Sequence, residues 1–240
     1  MATTPHPSRN ISDTTLRRLA AYHKVLQEIL LSGTPTVSAS GIARTLKLDP
    51  SQVRKDIEAT GIIGKPKVGY PLPVLIRWIE DFLGWNNSKQ AVLAGAGNLG
   101  SALLGYAKFR ELGMDIVAAF DDDPQKVGRT IHGKPVFPPD QLLSFALNAH
   151  IHLGVIAVPA PSAQATASLM LAGGIRAIWN FAPVHLRVPD FVVVRNEDLY
   201  DSIASLTFKL ERQMAAERRA AGEVSAPAEN APAPLDACTW

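Results

Sequence analysis

Gly95-Ala96-Gly97-Asn98-Leu99-Gly100 follows the apolar run 90–94 and opens a stretch of helical character, about 98–112. Three glycines at this spacing between a strand and a helix leave the backbone few options. The first permits a tight turn, the second lets a ligand approach the main chain, and the third lets helix and strand pack closely. Asp121 stands 21 residues after Gly100, at the end of a second apolar run, 115–120. A helix N-terminus offers N–H groups to a pyrophosphate, and a carboxylate at the second strand's end accepts hydrogen bonds from a ribose. The pattern predicts a Rossmann unit over residues 89–123 that binds a nicotinamide dinucleotide. Asp121 would repel a 2′-phosphate, so NAD(H) is expected rather than NADP(H). Two other readings of the turn stay open: a glycine-rich turn without ligand, and a different nucleotide such as coenzyme A.

The remaining second half alternates in the same way. Apolar β-like runs occur at 152–158, 175–180 and 191–194, and helical stretches at about 139–148, 162–172 and 197–218. This alternation implies an α/β fold with a parallel, doubly wound sheet. Ligands of such sheets sit beyond the carboxyl ends of the strands. Val158-Pro159, closing the run from 152, and Phe181-Ala182-Pro183, after Asn180, are therefore candidates to border the nicotinamide half. An ordinary proline-terminated strand explains either turn equally well. Lys126 is read as balancing the acidic run 121–123.

The first 85 residues read as helices. Ser12 and Asp13 are N-cap candidates for a periodic stretch from Thr14 to Leu31, ended by Gly33 and Pro35. A short helix follows Ser38. The third helix has the clearest start: Asp49 as N-cap, Pro50 in the first helical position, and Gln52 three residues after the cap. Val53 and Ile57 share its inward face. Gly61, Gly64, Pro66 and Gly69 punctuate the turn that follows, and a further apolar helix spans about 73–83. Residues 1–80 carry 11 Lys/Arg against 6 Asp/Glu, whereas residues 81–240 carry 13 against 16. A basic first part suits an anionic polymer. Three short helices and a basic turn predict a winged helix-turn-helix. Ser51, Gln52, Arg54 and Lys55 would face base edges and phosphates in a major groove, with Lys65 and Lys67 as a wing on the backbone. A helical oligomerisation module with a solvated charged face is the alternative.

No run of 18 uninterrupted apolar residues occurs, and residues 1–10 are polar, so a cytoplasmic protein is expected. Cys238 is the single cysteine, which rules out an intramolecular disulfide. The expected partition is 1–85 for DNA binding, 86–196 for the Rossmann part, 197–219 for a C-terminal helix, and 220–240 as an Ala-, Pro- and Glu-rich disordered tail.

These motifs together resemble one family, the redox-sensing transcriptional repressors called Rex, over about residues 11–212. The resemblance rests on Arg18-Leu19, Tyr22, Gln52-Val53-Arg54-Lys55-Asp56, Gly61, Gly64 and Gly69-Tyr70. In the second half it rests on Gly95 to Gly100, Tyr106, Ala118 to Asp121 with Asp123-Pro124, Val158-Pro159 and Asn180 to Pro183. It implies a homodimer on a palindromic operator, bound as the apo or NAD⁺ form and released by NADH, with the final helix exchanged between subunits. It also adds Arg18 to the DNA-binding set, and Tyr106 and Asp201 as a nucleotide-responsive hydrogen-bond network. The sequence departs from the family at Ala20, at Glu58-Ala59-Thr60, at Ile62-Ile63 and at Lys67, positions that bear on operator preference.

The rival reading is an NAD-dependent dehydrogenase. Only about 130 residues remain after the first 85 to build a Rossmann domain, leaving no substrate domain. His132, His150, His152 and His185 are acid/base candidates by type alone. A regulator without enzymatic activity is expected; a coenzyme-A-responsive regulator is the second alternative.

Overall fold

Ser12 starts the first helix, α1 (Asp13–Leu31), by accepting a hydrogen bond from the Thr15 N–H at 3.2 Å. Its buried side chains are Leu19, Tyr22, Val25 and Leu26, spaced to share one face. We describe a computed structural model of the chain; it describes residues 11–65, 68–87, 89–197 and 199–220. Ser38 caps α2 (Ala39–Leu46), and Asp49 caps α3 (Pro50–Ala59) with Pro50 in the first turn, as the sequence predicts. The capping box is only half realised. Asp49 accepts from the N–H groups of Ser51 and Gln52, but the Gln52 amide turns inward to Asp56 instead of back to the cap.

Two short strands, β1 (Thr36–Val37) and β2 (Tyr70–Pro71), pair antiparallel, and α4 (Leu72–Leu83) follows. Lys65 and Gly69 bridge each other just before β2. Gly69 has φ +87°, and a side chain there would strike the Val37 carbonyl, so glycine is required for this turn to reach β1. Leu19, Tyr22, Leu26, Ile42, Val53, Ile57, Leu72, Leu75 and Ile79 share one core. Each fully buried aliphatic side chain contributes about 1.5–3 kcal/mol, which is how so few residues hold four helices and a two-stranded sheet together.

The second half builds a seven-stranded sheet. Its strands are β3 (Lys89–Ala94), β4 (Met114–Phe120), β5 (Thr130–Ile131), β6 (Lys134–Phe137), β7 (Leu153–Ile156), β8 (Ala177–Asn180) and β9 (Val193–Asn196), in the order β5-β6-β4-β3-β7-β8-β9. Pairing is parallel from β6 through β8, and β5 runs antiparallel to β6. The chain first winds outward from β3 through β4 to β6, then returns past β3 to start β7. That reversal puts a topological switch point between β3 and its neighbour β7. Cores lie on both faces, one around Val92, Phe120 and Ile156, the other around Leu93, Ala119 and Val155.

Three expectations need correction. The single helix over 98–112 is two helices, α5 (Asn98–Leu104) and α6 (Lys108–Glu111), because the chain leaves the helix at Gly105, where the His132 ring packs. The stretch over 139–148 begins as a 3₁₀ turn (Pro139–Gln141) before α7 (Leu142–Asn148). Strands β5 and β6 were not expected at all. His132 (φ 47°) and Gly133 (φ 76°) form the two-residue hairpin loop between them, and Pro135 disguises β6 as a loop. The remaining helix of this half, α8 (Ala160–Ala172), starts at Pro159.

The chain divides into two units, one ending at Arg195 and one from Asn196 onward. In the second, α9 (Leu199–Ala220) carries Ile203, Leu206, Leu210 and Met214 along one stripe, all exposed. Of the predicted tail, 220–240, Ala220 ends α9, and residues 221–240 with Cys238 lie outside the described residues, as do residues 1–10 and Lys67.

Candidate functional site

The carboxyl ends of β3, β4 and β7 open onto a cavity of about 800 Å³. Gly95, Gly97, Asp121, Val158 and Pro159 line it, five of the twelve residues predicted to hold a dinucleotide. Gly95 has φ +92°, and a side chain on it would meet the Ala157 carbonyl at 2.6 Å. A methyl at Gly100 would run into the Gly95 carbonyl. Gly97 differs from both: nothing stands within 4 Å of a side chain placed there. The first and third glycines are thus demanded by the fold itself, while the second keeps open space on the cavity side. Ala96 is buried, Asn98 and Leu99 are exposed at the start of α5, and Gly100 is buried against β3.

Asp121 is nearly buried, and its carboxylate already has partners. It accepts from the Ala96 N–H at 2.7 Å, the Asp123 N–H at 2.9 Å and the Lys126 ammonium at 3.2 Å. The tie to Ala96 crosses from the end of β4 to the glycine turn, so the carboxylate and the turn are one rigid unit. Lys126 also reaches Asp123 at 3.4 Å, which makes it the counter-charge of the acidic run. The opposite wall is apolar, from Pro159, Pro161, Ala165 and Leu169 of α8 and the turn before it. The volume, the open face at Gly97 and the ribose-type acceptor suit an adenine dinucleotide.

Phe181, Ala182 and Pro183 do not line this cavity. Asn180, fully buried, folds their turn. Its amide donates to the carbonyls of Ala182 and Val184, and its oxygen accepts from the Ala182 N–H. Phe181 is tied through its N–H to Ile156 at the end of β7 and packs on Trp179 at 4.7 Å between centroids. From there a ladder of rings continues through Phe109 (5.5 Å) to Tyr106 (4.8 Å), which is half exposed. Sequence reading singled out the two ends of this ladder and missed Phe109 and Trp179, whose contact spans 70 residues of chain. Asp201 stands exposed in the first turn of α9. His132 lies beside Ser101, and His152 beside the Gly174 carbonyl, while His150 follows α7.

The second site is built on α3. Ser51, Arg54 and Lys55 are exposed along it, and Arg54 and Lys65 line a groove of about 420 Å³ between α3 and the turn before β2. Ile63 and Val68, both exposed, edge the same groove. Arg18, expected in the DNA-binding set, has its guanidinium paired with a carboxylate. Nε donates to Asp56 Oδ2 at 2.6 Å and Nη2 to Oδ1 at 2.9 Å. The Tyr22 hydroxyl donates to the same carboxylate at 2.7 Å, and the Gln52 amide at 2.9 Å. Burial works to raise the Asp56 pKa, but the hydrogen bonds from Arg18, Tyr22 and Gln52, with the Arg18 charge, outweigh it and hold the group below the usual carboxylate range. Burial, then Asp56, pushes the Tyr22 hydroxyl well up. The missed signal was a carboxylate next to Ile57 on the inward face, matched by Arg18 and Tyr22 one turn apart on α1.

Fold and site thus define a class: a winged helix-turn-helix joined to a dinucleotide-type Rossmann sheet. Residues 86–184 match the family described as "CoA binding domain", and residues 10–57 the family described as "Putative DNA-binding protein N-terminus". The chain is 45% identical over 192 residues to the redox-sensing transcriptional repressor Rex of Treponema denticola, covering 80% of this chain and 91% of that one. It is 39% identical over 203 residues to the Rex of Bacteroides fragilis, covering 85% and 92%. Among solved structures it is similar to RSP in complex with β-NAD⁺ and operator DNA (TM-score 0.81, 30% identity, 91% of this chain and 100% of that one). It is also similar to RSP in complex with β-NADH (TM-score 0.79, 29% identity, 88% and 99%). The chain belongs to the Rex family of redox-sensing transcriptional repressors.

Proposed function

We propose that this chain is a repressor that binds a palindromic operator as a homodimer and is released when NADH fills the cavity at the switch point. The observation that carries the reading is Gly97, open toward a cavity whose acceptor is Asp121, in a chain whose other core presents Arg54 and Lys55. The glycine turn and Asp121 would hold the adenosine and pyrophosphate half. Val158 and Pro159 line the cavity's apolar side, with the Phe181-Ala182-Pro183 turn beside the end of β7. A low-polarity environment disfavours a cationic ring more than a neutral one. A ligand shifts an equilibrium only by its differential affinity for the two states, so a site that prefers the uncharged dihydronicotinamide is what redox sensing requires.

The partition into residues 1–85, 86–196 and 197–219 is part of this proposal, with α9 exchanged between subunits to cover its exposed stripe. Tyr106, at the end of the ring ladder, and Asp201 would report the nicotinamide state. A regulator without enzymatic activity, working in the cytoplasm, fits relatives that are transcriptional repressors. The coenzyme A reading is disfavoured by Asp121, which would face the phosphate on that cofactor's ribose.

Two substitutions test the assignment. Arg54→Ala should weaken operator binding by about tenfold, within the usual value of a base or phosphate contact, while NADH affinity measured by calorimetry stays unchanged; loss of both would contradict it. Asp121→Asn removes the charge that repels a 2′-phosphate and leaves Lys126 with one carboxylate in place of two. Competition between NADH and NADPH should therefore move toward NADPH by about tenfold or more, and an unchanged ratio would contradict the ribose assignment.

A further inference from the structure

Gln52 occupies the first turn of α3, where recognition helices place the residues that meet base edges. Its amide has one partner among the described residues, the carboxylate of Asp56 at 2.9 Å. A carboxylate without its proton can only accept, so the nitrogen end of the amide is the end turned inward. Asp56 is firmly in that state: three other donor groups' hydrogen bonds converge on it from Arg18 and Tyr22, and its pKa is held down. The amide oxygen is left facing away from the carboxylate, on a residue that is only partly buried.

We propose that Asp56 is a specificity-determining positioning residue, which sets the orientation of Gln52 so that its oxygen reads an exocyclic amine in the major groove. The bases that offer such an amine there are adenine (N6) and cytosine (N4). Arg54 and Lys55 can only donate, and serve guanine and phosphate. Beside the exposed cations the recognition helix therefore presents an amide acceptor of fixed direction, and the direction comes from a buried carboxylate. Arg18 and Tyr22 enter specificity through the same carboxylate. The proposal rests on the operator reading above and deepens it.

The test uses the full-length protein without dinucleotide. Its affinities are measured for the operator duplex and for every single-base-pair substitution of one half-site. The wild type should prefer adenine or cytosine at one position by at least about fivefold, and that position's preference itself separates the two amines. Gln52→Met should flatten this position alone and leave discrimination elsewhere intact. Asp56→Asn should do more. Its oxygen can still accept from Arg18 Nε and Tyr22, which puts its amide nitrogen toward Gln52 at the cost of the bond from Arg18 Nη2. Gln52 then turns its own nitrogen outward, and the preference at the same position moves to guanine or thymine. A Gln52→Met protein with every preference intact would overturn the proposal while the operator reading stands. So would an Asp56→Asn protein, folded by circular dichroism, that binds all duplexes weaker by one common factor, the signature of a purely structural role. Should Asp56→Asn fail to fold, the Gln52→Met profile decides alone. A wild type without any sequence preference would overturn the operator reading and this proposal together.

Discussion

Gly97→Ala is expected to leave the fold intact and abolish the response to dinucleotide. Gly97 sits at φ −68°, a backbone conformation that alanine adopts without strain, and its added methyl meets no atom within 4 Å. A melting temperature within a degree or two of wild type is therefore predicted, since the substitution also narrows the unfolded ensemble slightly. On the proposed placement, the methyl takes space that a pyrophosphate would enter. NADH affinity should fall by at least about a hundredfold, roughly 3 kcal/mol, and operator binding should become insensitive to NADH. Gly100→Ala is the informative contrast. Its methyl collides with the Gly95 carbonyl, so that protein should be strongly destabilised before any ligand is added. Calorimetry with NADH, alongside thermal melts of both proteins, checks the pair. Equal ligand binding by Gly97→Ala and wild type would contradict the placement of the pyrophosphate.

Asp56→Ala should produce the second large effect, in the DNA-binding part. It leaves the buried Tyr22 hydroxyl without its acceptor and the Arg18 guanidinium without its counter-charge. Arg18 keeps some exposure, so the cost is below that of a fully buried pair, about 2–4 kcal/mol. Small domains have only about 5–15 kcal/mol in total, so operator binding should weaken severely. NADH affinity should hold, because the cavity belongs to different cores. The same carboxylate gives a pH dependence. Its pKa is lower folded than unfolded, so its stabilisation is fully present above the ordinary carboxylate pKa and is lost as pH falls through the lowered one. Thermal melts of the wild type should weaken progressively in acid below about pH 4, and the Asp56→Ala protein should lack that component.

Local rules made much of this molecule legible. Asp49 and Pro50 mark the start of α3 because capping and proline geometry act within four residues. Gly95 and Gly100 mark the turn because backbone approach excludes side chains there. What stayed hidden depends on partners distant in sequence. The pairing of Arg18 with Asp56, 38 residues away, leaves no local mark in the sequence. Gln52 fits a capping box by spacing, yet the carboxylate one turn later competes better for its amide. Strand β6 carries a proline and four residues, too little periodicity to register, and it exists because β4 has an open edge beside it. Phe109 and Trp179 look like ordinary apolar residues on separate elements, and only the sheet brings their rings together.

The central claim is that the redox state of a dinucleotide governs hold on DNA. Fluorescence anisotropy of a labelled palindromic operator, at fixed protein and fixed total NADH plus NAD⁺, measures this directly as the ratio is varied. The account predicts a bound operator in NAD⁺ alone and release as the NADH fraction rises, with NADPH and coenzyme A far less effective at equal concentration. An operator that stays bound across the whole range, or that coenzyme A releases as readily as NADH, would contradict it.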